Sequence, residues 1–235
     1  ELAAMFIKFN KCFDVRRVEM QRLIDGEVDL KDFNVLAFAG GFSYGDVGES
    51  GKGWAASILF NSNLKKMFDD FFKRPDTLSF GVCNGFQVGA LLGIFDETFY
   101  KKPRLLHNKS GIFEHRPVNL LIPEGTTSIL FKGMEGSILP AWSAHGEGRL
   151  EFNYPFGGYR QFVSVYYCDK EGKPSNSYPT NPNGSDFGVA GLTTKDGRHT
   201  FMMPHIERVS ASNNHLPYKP KDWNFKNPVW QKVIK

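Results

Sequence analysis

Cysteine is scarce: Cys12, Cys83 and Cys168 are the only three in 235 residues. That is too few for a disulfide framework in a chain this long, and it points to a reducing, cytoplasmic compartment. Cys12 and Cys168 lie in apolar, strand-like runs and read as core thiols. No stretch approaches the roughly 18 apolar residues of a membrane helix, and no basic-then-apolar leader is present, so no membrane association is expected. Charge of one sign is lacking too. The 29 Lys and Arg against 25 Asp and Glu leave a formal +4, scattered rather than clustered, which argues against nucleic-acid binding. No His/Cys/Asp/Glu group has zinc spacing, so no metal is expected. Repeats and low-complexity linkers are absent, which favours one domain over residues 1–235. With 41% apolar and 23% charged residues, the composition suits a globular core, and the 22 phenylalanines read as its filling.

The most informative stretch runs from Leu78 to Gly93, LSFGVCNGFQVGALLG. An apolar strand ends on Cys83 and a Gly-punctuated helical pattern follows at once. A strand–turn–helix of this kind lifts a nucleophile out of the sheet. The positive end of the following helix favours thiolate, the species that attacks. Gly81 and Gly85 flank the turn where bulky side chains would obstruct it.

The first half alternates between strand and helix. A helix over residues 1–10 precedes strands at Phe13–Val18, Val35–Ala39 and Thr77–Val82, with helices at Trp54–Phe60, Leu64–Phe72 and Asn84–Leu92. Such alternation predicts βαβ units and an α/β, mostly parallel, doubly wound sheet. The second half predicts an antiparallel extension, with strands at Phe113–Ile122, Ser128–Phe131, Trp142–His145, Val163–Cys168 and Thr200–Met203. A short amphipathic helix closes the tail. The chain opens as if inside a helix, without an N-cap, which suggests a piece of a longer protein.

A thiol nucleophile needs a base, and the base needs an orienting group. In FMMPHIER, His205 ends an apolar strand and Glu207 stands two residues on, on the same face of extended chain. One imidazole nitrogen can then meet the carboxylate while the other faces a thiol, which is triad logic. An exposed strand-end histidine beside an unrelated glutamate would show the same letters. The oxyanion of acyl transfer needs amide donors. At an elbow Asn84 supplies one, and the loop Gly40-Gly41-Phe42-Ser43-Tyr44-Gly45-Asp46 is placed for the second, unless it is an ordinary Gly-rich turn. Gly45 to Lys52 imitates a phosphate-binding loop, but Asp46 stands where glycine is required and Gly53 where Ser or Thr is, so a nucleotide site is rejected. Trp142-Ser-Ala-His145-Gly-Glu147-Gly-Arg149 is a second polar concentration, suited either to gripping an amino acid or to a solvated loop.

GVCNGFQ, GGFSYGD, AHGEGR, NPNGS and MPHIER occur here together and in one order. In this the chain resembles the class I (triad) glutamine amidotransferase domain of phosphoribosylformylglycinamidine synthases, over nearly its whole length. The resemblance implies a flavodoxin-like α/β fold. It implies that Cys83 attacks the side-chain amide of glutamine and forms a γ-glutamyl thioester. His205 would then be base and acid, and Glu207 would hold its tautomer. Gly41 and Asn84 would form the oxyanion hole, and Gln87 and His145 would bind glutamine. Ammonia would pass to a synthetase domain of the same enzyme, expected in the same polypeptide. ATP and Mg²⁺ would belong to that domain, leaving this chain without a cofactor of its own. Three departures stand out: a first strand of the family is missing, Phe86 replaces a smaller residue, and Ile206 replaces a frequent proline. Two alternatives stay open, an inactive structural domain and a free-standing cysteine hydrolase.

Overall fold

The computed structural model describes residues 2, 3, 5, 13–46, 51–152, 154–209 and 230. The strand that carries Cys83 is Leu78–Val82 (β2), buried except at its first residue. β2 lies parallel to Val35–Phe38 (β1) on one side and to His199–Met202 (β9) on the other. The rest of the main sheet is antiparallel. The described strands run β1-β2-β9-β8-β7-β4-β5, with β4 at Glu114–Leu121, β5 at Ile138–His145, β7 at Val163–Cys168 and β8 at Val189–Thr193. Arg104–His107 (β3) and Glu147–Glu151 (β6) form a separate antiparallel pair. The α/β class, the parallel strands around the elbow and the antiparallel extension agree with the expected fold, the extension being the larger part among the described residues.

Helices cover the parallel strands. Met20–Ile24 (α1) is a short turn on the surface. Lys52–Leu59 (α2) and Ser62–Lys73 (α3) follow β1. Asn61 caps α3 by accepting from the Asn63 and Leu64 amides, and the helix buries Leu64, Phe68 and Phe71 at i, i+4 and i+7. Asn84–Leu91 (α4) is buried from Asn84 to Gly89, the pattern of a helix enclosed on all sides. Phe201 of β9 wedges between β2 and α4. Its ring occupies the space where a Cβ at Gly81 would come within 2.0 Å and one at Gly89 within 2.6 Å. Phe38, Phe86 and Phe95 surround the same ring at 5.6–6.3 Å. Phe86 is therefore a core residue, as is Ile206 at 1% exposure. Part of the phenylalanine excess serves to lock together the elements that carry Cys83 and His205.

Two expected strands take other forms. Phe13–Val18 joins no ladder. Its apolar positions, 13, 15 and 18, break the period of two, and only Val15 and Val18 turn to the core. Ser128–Phe131 becomes a 3-10 turn at Ile129–Phe131, burying Phe131 and exposing Ile129. β3, β6 and β8 were not anticipated. β3 and β6 carry Arg104, His107, Glu147 and Arg149 among their few apolar residues, and Gly191 interrupts the apolar run of β8. Cys12 and the expected tail helix lie outside the described residues, although Trp230 packs against Phe131 and donates from Nε1 to the Pro140 carbonyl at 2.7 Å. Cys168 is a core thiol as expected, its burial and the Asp169 charge pushing it up to about 12. No helix among the described residues is long and apolar enough to cross a membrane.

Candidate active site

Cys83 follows β2 directly and precedes α4, with φ 53° and ψ −111°. A non-glycine residue there costs about 1–3 kcal/mol and persists only where the surroundings impose it. They do. The Cys83 amide extends the β2–β9 ladder by donating to the Met202 carbonyl at 2.8 Å, and Gly85 brings α4 so close to β1 that a Cβ would lie 2.3 Å from the Phe38 carbonyl oxygen. The thiol is 6% exposed, with Sγ 3.7 Å from the Ala144 carbonyl oxygen.

His205 reaches the site because β9 is the neighbour of β2. Three residues beyond β9, its backbone pairs with Trp142 of β5, donating at 2.7 Å and accepting at 3.1 Å. β5 is the outermost strand at the far end of the main sheet, so the sheet curls back until that edge closes on the chain leaving β9. Cys83 and His205 flank Gly40 at the end of β1: a Cβ there would sit 2.6 Å from His205 Cε1 and 3.3 Å from Cys83 Cβ. His205 Nδ1 lies 2.6 Å from Glu207 Oε1, both side chains being almost fully buried. Burial would depress the histidine, but the pull of Cys83 and Glu207 outweighs it and raises the pKa to about 9. Nε2 is buried with no hydrogen bond of ordinary geometry in the resting site.

A cavity of about 310 Å³ opens above these groups, lined by Gly41, Cys83, Ala144, His205 and Arg208, with Phe42, Phe113 and His115 at its sides. Gly41 adopts φ +141°, and Asn84, as the first residue of α4, has an amide without an intrahelical acceptor. Gly41, Cys83 and His205 thus meet at one cavity, with Glu207 bonded to His205 behind it and Asn84 next to Cys83 in the chain.

Gln87 and His145 sit differently. Neither lines the Cys83 cavity. Both ends of the Gln87 amide are engaged, Oε1 by Asn84 Nδ2 at 3.0 Å and Nε2 by the Glu147 carbonyl at 2.9 Å. His145 is 3% exposed, with Nε2 3.1 Å from Ser143 Oγ. Burial, with the charge of His205, holds its pKa down to about 3. A neutral, enclosed imidazole supports β5 instead of offering a charge to a ligand.

Two asparagines given no role from the sequence, Asn108 and Asn183 of the NPNGS motif, join the surrounding loops. Asn108 Nδ2 donates to the His145 and Ile112 carbonyls at 2.7 and 3.0 Å. Asn183, fully buried in the NPNGS segment, donates to the Gly148 carbonyl at 3.1 Å and accepts from Ser185, while its own carbonyl accepts from the Lys109 amide. Together they tie residues 108–112, 145–150 and 181–185 into one rim. The clustering of Asn, Ser and Gly was the available signal, but a turn motif does not reveal which loop it will hold.

A family model described as CobB/CobQ-like glutamine amidotransferase domain matches residues 1–235. The chain is 42% identical over 236 residues to the probable chloroplastic/mitochondrial phosphoribosylformylglycinamidine synthase of Arabidopsis thaliana, covering 95% of this chain and 16% of that protein. It is 44% identical over 220 residues to the phosphoribosylformylglycinamidine synthase of Dictyostelium discoideum, covering 89% of this chain and again 16% of the relative. The chain therefore spans about one sixth of these curated relatives. Among solved structures, PurLQS from Thermotoga maritima superposes with a TM-score of 0.58 at 27% identity, over 77% of this chain and 73% of that one. The glutaminase domain of Trypanosoma brucei CTPS, bound to acivicin, gives 0.54 at 13% identity over 98% and 81%, a likeness of fold alone.

Proposed function

Because the chain belongs to the CobB/CobQ-like glutamine amidotransferase family, we propose that it is the glutaminase part of a phosphoribosylformylglycinamidine synthase. It would hydrolyse glutamine and hand ammonia to an ATP-dependent synthetase domain that converts formylglycinamide ribonucleotide to the amidine, in de novo purine synthesis. The observation that carries this reading is the strained Cys83 beside the buried His205–Glu207 pair, 2.6 Å apart.

In the proposed reaction the thiol proton already rests on His205 Nε2, and Cys83 Sγ attacks the amide carbon of glutamine as the thiolate. The Gly41 and Asn84 amides hold the oxygen as charge develops on it. An imidazole raised to about 9 by its neighbours keeps that proton long enough to deliver it to the departing nitrogen, and ammonia leaves. Water, deprotonated by His205, then cleaves the thioester and releases glutamate. Glu207 stabilises the imidazolium and fixes its tautomer. ATP and Mg²⁺ act in the synthetase domain, expected in the same cytoplasmic polypeptide, and this chain supplies no cofactor of its own.

The test is Cys83→Ala in the intact protein. Glutamine-dependent synthesis should disappear while synthesis from added ammonia continues. Glutamine turnover in that variant would refute the nucleophile, and a wild-type protein that cleaves esters or peptides but not glutamine would favour a free-standing hydrolase. Failure of a glutamine-like diazoketone to alkylate Cys83 would favour an inactive structural domain.

A further inference from the structure

The Gly-rich loop and α4 are joined by a chain of side chains that the proposed reaction does not use. Ser43 Oγ donates to Asn84 Oδ1 at 2.7 Å, Asn84 Nδ2 to Gln87 Oε1 at 3.0 Å, and Gln87 Nε2 to the Glu147 carbonyl at 2.9 Å. Asn84 and Gln87 are 2% and 6% exposed. The direction of the chain is set by its last member. A carbonyl oxygen only accepts, so Gln87 must turn its NH₂ toward Glu147 and its oxygen toward Asn84. Asn84 must then present nitrogen to Gln87 and oxygen to Ser43, whose hydroxyl can only donate. Each side chain is left with one orientation.

The loop needs such a fastening. Gly41, Tyr44 and Gly45 all have positive φ, and Tyr44 at φ 55° and ψ 34° is a non-glycine residue in the left-handed region. No regular ladder among the described residues holds them. The loop is fastened by the Phe42 ring on Phe113 and by two hydroxyls, Ser43 on Asn84 and Tyr44, whose OH lies 3.1 Å from Ser57 Oγ. Ser43 lies two residues from Gly41, whose amide is one proposed oxyanion donor. The other donor is the backbone amide of Asn84 itself.

Resting on the glutaminase reading, we infer that Ser43 and the side chain of Asn84 are positioning residues that set the separation of the two oxyanion donors. One residue supplies the first donor from its backbone and anchors the loop of the second with its side chain. The Ser43–Asn84 bond therefore matters most when charge builds on the oxygen, not when glutamine first binds. Misplacing a preorganised group by about 1 Å can cost on the order of a hundredfold in rate.

Ser43→Ala in the intact protein tests this. Its glutaminase kcat should fall about 10- to 100-fold with the KM for glutamine within about twofold. Alkylation of Cys83 by iodoacetamide should keep its wild-type rate, because displacement at a saturated carbon builds no oxyanion. Ser43→Thr, which retains the hydroxyl, should recover most of kcat. An unchanged kcat in the alanine variant would overturn the inference, as would an alkylation rate that falls in step with kcat or a threonine variant as slow as alanine. A wild-type protein without glutaminase activity would remove the functional reading, and this inference with it. Normal wild-type activity with an insensitive Ser43 would remove the inference alone.

Discussion

The parallel and antiparallel halves of the main sheet contribute to the candidate site in different currencies. The parallel half supplies reactive side chains: Cys83 leaves the carboxyl end of β2, and His205 and Glu207 follow the carboxyl end of β9, its neighbour. That is where open α/β sheets place their ligands. The antiparallel half and the β3–β6 pair supply mostly backbone: the Trp142 peptide for His205, the Ala144 carbonyl beside Cys83, and the Glu147 carbonyl for Gln87. Chemistry is therefore concentrated in a few side chains of one half, and the walls that aim it are built from the main chain of the other.

Substitutions in the two halves should separate along this line. The largest effect after loss of Cys83 itself should come from Gly40→Ala, which would drive a methyl group between His205 and Cys83. Glutamine-dependent activity should fall at least about a hundredfold, with ammonia-dependent synthesis spared. A nearly active variant would show that base and nucleophile do not meet across Gly40.

Next comes Glu207→Gln, expected to lower glutaminase kcat about 10- to 100-fold, less than loss of the thiol. It also moves the pH profile. The His205 proton needed for the departing ammonia is present below about pH 9 and lost above it. Without the carboxylate the imidazolium is less stable, so the alkaline limb should shift to lower pH. A limb that stays in place would assign it to another group.

Asn183→Ala probes the other half. Loosening the rim around Gly148 and Lys109 should raise the KM for glutamine about tenfold while changing kcat little, if its role is uniform binding. Equal loss in kcat would mean that the rim also aims the reacting groups.

The smallest catalytic effect is expected at His199, on the opposite end of β9 from the site. Its Nε2 faces the Phe72 carbonyl at 3.2 Å and its Nδ1 faces Ser79 Oγ at 2.8 Å. Burial and the Arg198 charge hold its pKa down to about 4. The unfolded chain therefore binds a proton between about pH 4 and 6.5 that the folded chain refuses. Stability is full above pH 6.5 and falls as the pH drops toward 4, by at most about 1.4 kcal/mol per pH unit. Thermal melts of His199→Gln should show a shallower acid dependence than wild type, beside unchanged glutaminase kinetics. His145, held near 3, adds to the same acid sensitivity and prevents the slope from vanishing. An unaltered slope would mean that His199 does not contribute.

The turn at Cys83 and the His205–Glu207 contact were legible because their signals are local. An apolar run ending in cysteine, a glycine-spaced helix and a His-x-Glu at a strand end each reflect residues within one turn of one another. The alternating first half was legible for the same reason, down to β2 and α4 within a residue or so. Phe13–Val18 misled because apolar residues alone cannot supply a partner strand. β8 escaped because its glycine, demanded by a contact 2.6 Å from Ser164 Oγ, weakens the very pattern that marks a strand. The partners of Gln87 and His145 were not legible, because the Glu147 carbonyl and the Ser143 hydroxyl are brought to them by folding and not by spacing along the chain.

The sequence by itself determined the turn at Cys83 and its α/β setting, since these follow from side-chain chemistry and short-range periodicity. Only the tertiary structure decided how the sheet curls so that Trp142 at its far edge grips His205, and which carbonyls face Cys83 and Gln87. It also decided that His145 stays buried and neutral while His205 keeps its proton. Those outcomes depend on contacts between segments tens of residues apart and on the local loss of water, and neither is written in the spacing of residues along a chain.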